Sequence, residues 1–237
     1  MKYLRYRHLF RLFEQIQPFI NYSIPIEEKL PEHKALVIAP HQDDEAIGCA
    51  GTIIKHVRAG GEAEIVFCTH DNYERMKESE TAAAVLGSKR NHFLQFPIRT
   101  LDANKKLEES LSIVFQKSNP GIVFLPFWFD NHPDHRAVSK ALIKLKKKIS
   151  LKFIVYAYPV WSPLNPNCIV DISETWEDKK KAIECYRTQL ASRDYVKIAQ
   201  SLGQYWAEIK KPGMRYAETF FKATAQEYIS LGKKIFR

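Results

Sequence analysis

Two short stretches concentrate the residues able to do chemistry. His41-Gln-Asp-Asp-Glu45 puts one imidazole and three carboxylates within five residues, and His132-Pro-Asp-His135 puts two imidazoles and a carboxylate within four. Carboxylates this close repel one another unless a cation lies between them, and a metal ion is the usual answer. His41, Asp44 and His135 form an N, O, N donor set that leaves open positions on a metal. That set suits a catalytic zinc, where water fills the fourth position, and equally a non-haem iron centre. The residues left over favour hydrolysis. Asp43 is free to act as general base on a water, and His132 can stabilise or protonate what develops across the site. An oxygenase would need an organic cosubstrate site, for which the sequence offers no candidate. A competing use for Asp43 or Asp44 is to cap a helix.

The surrounding pattern says how the two stretches could meet. Ala35–Ala39 is a short apolar run ending at a Pro, which reads as a buried strand, and Glu45–Ala59 reads as a helix closed by Gly60-Gly61. Strands are expected at 62–68, 92–95, 122–125, 153–158 and 168–171, with helices at 75–86, 107–116, 135–147, 176–189 and 194–210 between or after them. Ser173 or Thr175 is the expected cap of the 176–189 helix. Residues 216–224 read as an edge strand and 225–236 as a last amphipathic helix. This alternation predicts an α/β fold, a Rossmann-like three-layer sandwich with a mostly parallel twisted sheet and helices on both faces. Both motifs then follow strand ends at the carboxyl edge, where open α/β sheets build their sites.

Composition narrows the partners. The chain has 237 residues, read as a single domain, with 36 Lys+Arg against 27 Asp+Glu and a net charge of +9. That charge suits anionic partners or reflects a generally basic surface. A metal-dependent nuclease would want a second carboxylate set for a second ion, which is not evident, so no nucleic-acid partner is expected. The four cysteines are dispersed without a Cys-x-x-Cys pair, which argues against a thiolate zinc site and fits a reducing, cytoplasmic setting. No apolar run is long enough to span a membrane, and the N-terminus lacks the apolar core of a signal peptide. Residues 4–20 read instead as a basic amphipathic helix, packed on the domain or docked on a membrane surface. Residues 23–33 read as a connector.

The strand followed by His41-Gln-Asp-Asp-Glu45, together with His132-Pro-Asp-His135, resembles the PIG-L/LmbE-like deacetylase family. The usual first motif of that family is Ala-His-Pro-Asp-Asp-Glu. Weaker likenesses are the Arg75–Gly87 helix, the segment Lys179-Lys-Lys-Ala-Ile-Glu-Cys-Tyr-Arg-Thr-Gln189, and Tyr216-Ala-Glu-Thr-Phe220. The resemblance implies removal of an N-acetyl group from an N-acetylglucosaminyl conjugate or related amide, with one zinc per chain, other divalent metals being possible. It makes His41, Asp44 and His135 the metal ligands and Asp43 the base. His132 becomes the oxyanion or leaving-group residue, with Asp134 orienting it, and Glu45 holds a ligand from behind. Arg75, Gln42 and Asn72 are the candidate substrate contacts, with His70 and Asp71 beside them, although Arg75 could equally form an ion pair. Trp128 and Phe129 could stack on a sugar face or fill the core. The implied substrate is a free or lipid-linked amino sugar. Gln42 departs from the family's Pro, and Tyr186 and Thr188 depart from its late His and Ser. These departures bear on substrate more than on reaction. The alternative is a metal-binding or membrane-docked regulatory protein of the same fold.

Overall fold

In the computed structural model, the residues described are Gln15, 24–31, 33–211 and 213–236. The helix expected over residues 4–20, with its membrane contact, lies outside them apart from Gln15. Among the described residues no helix is long and apolar enough to cross a membrane.

Eight strands among the described residues form one sheet. In chain order they are β1 (Ile26–Glu27), β2 (Ala35–Ala39), β3 (Ala63–His70), β4 (Arg90–Pro97), β5 (Ile122–Pro126), β6 (Ile154–Tyr158), β7 (Cys168–Asp171) and β8 (Ala217–Thr224). Their spatial order is β1-β7-β8-β6-β5-β2-β3-β4. β8 runs antiparallel to both neighbours, and every other pairing is parallel. Two expectations are corrected here. The connector at 23–33 contains β1, which pairs with β7 through Ile26 and Ile169. The strand at the end of the chain is interior rather than an edge.

From residue 24 onward, the α-helices among the described residues are α1 (Asp44–Arg58), α2 (Tyr73–Leu86), α3 (Lys106–Ser118), α4 (Pro133–Lys144), α5 (Trp176–Glu184), the single turn α6 (Arg187–Leu190), α7 (Tyr195–Lys210) and α8 (Ala225–Ile235). Side-chain alternation along the strands sorts them into two layers. Val37, Ile65, Phe124 and Tyr156 face one way and pack with Ile53, Leu86 and Ile183 of α1, α2 and α5. Leu36, Ile38, Val123 and Val155 face the other and pack with Leu111, Leu142 and Tyr228 of α3, α4 and α8. Every residue from Ala35 to Ile54 is buried, so the first motif sits inside the molecule rather than on a surface loop.

Local chemistry sets the ends of these elements. Gly87 terminates α2 in the left-handed conformation, φ 73°. The expected 176–189 helix is broken after Glu184, and α6 resumes it. Thr175 stands at the N-terminus of α5 but does not cap it, because its hydroxyl donates to Gly51 O of α1, 2.9 Å away. Gly48 lets α1 lie against β6, since a Cβ there would run into the Tyr158 ring. From that close seat the Tyr158 hydroxyl donates to Ile38 O at 2.8 Å, next to the end of β2.

Candidate active site

The chain leaves β2, runs through β3 and β4 on one side, then returns to place β5 on the other side of β2. This reversal opens a crevice between the carboxyl ends of β2 and β5, the position expected for a site in an open sheet. His41 follows β2, and His132 and His135 follow β5, so the crevice collects both motifs.

Three atoms form its centre. His41 Nδ1 lies 3.2 Å from Asp44 Oδ2 and 3.1 Å from His135 Nε2, and His135 Nε2 lies 3.2 Å from Asp44 Oδ2. Ligand atoms at about 2.0–2.1 Å from a tetrahedral zinc sit about 3.3–3.4 Å apart, so this triangle has close to the required size. A ring nitrogen of His132 also comes within 4.8 Å of nitrogens of His41 and His135, so the three imidazoles together could hold a metal. The smaller triangle includes Asp44, a charged donor, and it leaves His132 Nε2 free. Burial opposes a charge on either ring of the triangle. Asp44 overrides it and lifts His41 to about 9 and His135 to about 10. Burial likewise favours protonation of Asp44, yet His135 and His41 hold its carboxyl far below the ordinary range. The pocket thus favours positive charge at its centre.

The far side of each imidazole meets another carboxylate. Asp134 Oδ2 lies 3.1 Å from His41 Nε2, and Asp130 Oδ1 lies 3.0 Å from His135 Nδ1, off the N–H direction. When each ring is neutral, as a metal ligand must be, the carboxylate behind it keeps the proton on the rear nitrogen, and the lone pairs of His41 Nδ1 and His135 Nε2 point inward. Each carboxylate also takes two backbone N–H groups from a loop at the pocket. Asp134 accepts from Arg99 and Leu101, at 2.6 and 3.1 Å. Asp130 accepts from Val160 and Trp161, at 3.2 and 2.9 Å. The Asp134 carboxylate therefore backs His41, where the resemblance had it orienting His132. What reaches His132 is the Asp134 backbone N–H, which donates to Nδ1 at 3.2 Å. That bond leaves the proton of a neutral His132 ring on Nε2. Burial and the charges of His41 and His135 lower the His132 pKa to about 4.

Asp43 stands at the N-terminus of α1 without capping it. Its backbone, at φ 142°, directs the carboxylate into the pocket, where Arg75 Nη2 meets Oδ1 at 3.1 Å. Burial raises the Asp43 pKa to about 7, with Asp44 adding to the shift and Arg75 opposing it. Glu45 holds no ligand. Its Oε2 accepts the Asp43 backbone N–H at 3.2 Å, and its Oε1 accepts the Tyr186 hydroxyl. The Tyr that departs from the family's late His thus braces the turn carrying Asp43.

The pocket has a volume of about 540 Å³. His41, Asp43, Asp44, Arg75 and His132 line it, with Arg99, Trp161, Gln189 and Tyr195 in the surrounding wall. Of the expected substrate contacts only Arg75 reaches it, and its guanidinium already serves Asp43, Asp71 and the Gln42 carbonyl. Gln42 is buried outside the lining, and Asn72 caps α2 by accepting from Arg75 N–H at 2.8 Å. His70 and Asp71 are also outside the lining. Trp128 is core, stacked on Tyr228, and Phe129 is 62% exposed. Asp130, Trp161, Gln189 and Tyr195 were not among the sequence candidates. An Asp two residues before His132 was the only local signal for any of them.

The two weaker late motifs also meet. Lys179 donates to Ile47 O at 2.7 Å and pairs with Glu218 at 2.5 Å, while Glu218 accepts from Gly51 and Thr52 N–H at 2.9 and 2.8 Å. This buried pair clamps the middle of the helix whose first turn carries Asp44.

A three-layer α/β protein with two imidazoles and a carboxylate at its topological switch point is the class these features define. Residues 36–146 match the model of the PIG-L family, described as GlcNAc-PI de-N-acetylase. The chain is 28% identical over 218 residues to diacetylchitobiose deacetylase of Thermococcus kodakarensis, covering 78% of this chain and 81% of that one. A conserved protein of Thermus thermophilus shares its structure with a TM-score of 0.71 at 29% identity, over 79% of this chain and 93% of the other. The N,N'-diacetylchitobiose deacetylase of Pyrococcus horikoshii shares the fold over 96% of this chain and 97% of that one, with a TM-score of 0.71 and 24% identity. A 4-carboxy-2-hydroxymuconate hydratase of Pseudomonas putida also shares it, with a TM-score of 0.67 at 22% identity over 80% of this chain and 95% of the other. The fold therefore does not by itself choose the reaction.

Proposed function

We propose that the chain is a metal-dependent amidohydrolase that removes the N-acetyl group from an N-acetylated amino sugar or its conjugate, with zinc as the metal. The triangle of His41 Nδ1, Asp44 Oδ2 and His135 Nε2, with a buried carboxylate beside it in the same pocket, carries this reading. Those three residues would hold the ion. When bound, zinc supplies a Lewis acid and an acidified water.

The remaining steps belong to the chain's own groups. Asp43, held by Arg75, takes the proton of the attacking water and can return it to the departing amine. His132 presents Nε2–H to the oxygen that gains charge as the acetamide carbon becomes tetrahedral. Asp134 and Asp130 keep the two ligand rings turned inward. The products are acetate and a free amino sugar. The relatives named diacetylchitobiose deacetylase and probable N-acetyl-α-D-glucosaminyl L-malate deacetylase support an amino-sugar substrate.

The deciding experiment is metal analysis of the purified chain, joined to acetate release from N-acetylglucosamine, N,N'-diacetylchitobiose and larger N-acetylglucosaminyl conjugates. One zinc per chain and release from at least one substrate are expected. A metal-loaded chain inert across the panel would overturn the reading in favour of a non-catalytic member of the fold.

A further inference from the structure

Asp130 is fully buried and belongs to neither sequence motif. Its Oδ1 accepts from His132 N–H at 3.0 Å and sits 3.0 Å from His135 Nδ1. Its Oδ2 accepts from Val160 and Trp161 N–H, at 3.2 and 2.9 Å. Three backbone N–H groups bond to the two oxygens of this carboxylate, and His135 Nδ1 stands against Oδ1 beside them. Val160 and Trp161 both line the pocket, and Trp161 is 42% exposed. No hydrogen bond runs directly from this wall to the triangle among the described residues; the connection is the Asp130 side chain.

We propose that Asp130 is a positioning residue that couples metal occupancy of the triangle to the placement of the Val160–Trp161 wall. The proposal rests on the metal reading above. A metal on His135 Nε2 withdraws charge from the ring and makes Nδ1–H a stronger donor. The carboxylate then shifts toward that ring, and the two N–H groups on its other oxygen follow. By linkage, a ligand that holds the wall in its metal-bound position tightens the metal in turn.

The test is a zinc titration of the chelator-stripped chain, following tryptophan emission and its quenching by acrylamide. Trp161→Phe is the blank that removes the contribution of the other three tryptophans. A change that saturates at one zinc per chain and vanishes in the blank is expected. Zinc binding with a silent Trp161 overturns the coupling and leaves the metal reading intact. No zinc binding overturns the metal reading itself.

Asp130→Asn adds a second arm. An amide offers one acceptor oxygen and one donor group, so it cannot serve both donor pairs. Zinc affinity, measured by competition with a chromophoric chelator, should fall about 10–100-fold, and zinc should no longer move the Trp161 signal. Wild-type affinity in this variant would overturn the assignment. If the variant does not fold, the wild-type titration decides alone.

Discussion

Asp43 holds a backbone conformation that a residue with a Cβ adopts at a cost of about 1–3 kcal/mol. The neighbours that stabilise it are specific. Glu45 takes its N–H, Ala46 and Ile47 donate to its carbonyl, and Arg75 meets its carboxylate. The strain turns a residue at a helix N-terminus away from capping and into the pocket. Asp43→Asn keeps the size and an oxygen for Arg75 but removes the carboxylate proposed as the base. Acetate release should fall by about 10²–10⁴-fold with metal content unchanged. Near-normal turnover would show that another group takes the proton. At this scale the sequence was legible in which residues come together, where type and strand-end position sufficed, as for His41, Asp43, Asp44 and His135. It was illegible where a role depends on a distant partner. Asp130 meets its partners only once Val160 and Trp161 fold back onto it. Asn72 had the signature of a helix cap, an Asn three residues before Arg75, and caps α2 outside the pocket lining.

At the scale of elements, α1 is held at its centre by charge and at its end by an uncharged histidine. Lys179 and Glu218 are buried and bond to the backbone of α1 from two other elements. Removing one partner leaves the other charge buried, so Lys179→Met should lose about 3–5 kcal/mol of stability in urea unfolding. Replacing both residues with neutral ones should cost less than the sum of the single changes. A single-variant loss under about 1 kcal/mol would show that the pair is not a clamp. His56, in the last turn of α1, lies 2.9 Å from His33 O through Nε2. Burial lowers its pKa below the ordinary value of about 6.5, so the unfolded chain takes up a proton that the folded chain refuses. Its contribution to stability is complete above about pH 6.5 and declines as pH falls below that value. His56→Gln should flatten part of the loss of stability below pH 6.5, and an unchanged pH profile would contradict it. Element types were readable from periodicity, but the placement of β8 was not. Nothing along Ala217–Thr224 marks a strand as interior, and its neighbours β6 and β7 are fixed only by pairing across the sheet.

At the scale of the whole molecule, an ion bound at the sheet's switch point would link β2 and α1 to α4 across the crevice. A ligand that binds only the folded state adds about 2.7 kcal/mol at a hundredfold excess over its Kd. For a chain of this size that corresponds to a rise in Tm of about 5–10 °C. Differential scanning calorimetry with and without a chelator should show that difference, restored by added zinc. Equal Tm values in both states would mean that the triangle does not bind metal tightly.

The strand order also has a consequence for synthesis on the ribosome. β8 lies between β6 and β7, so β7 and β1 cannot join the rest of the sheet until Ala217–Thr224 has emerged. Until then the nascent chain presents β6 as an unpaired edge, and Lys179 lacks its counter-ion. An open strand edge is a template for pairing with another chain. Ribosome stalling or truncation just before Ala217 should therefore be more hazardous to solubility than loss of α8 beyond Thr224, although it removes only one strand more.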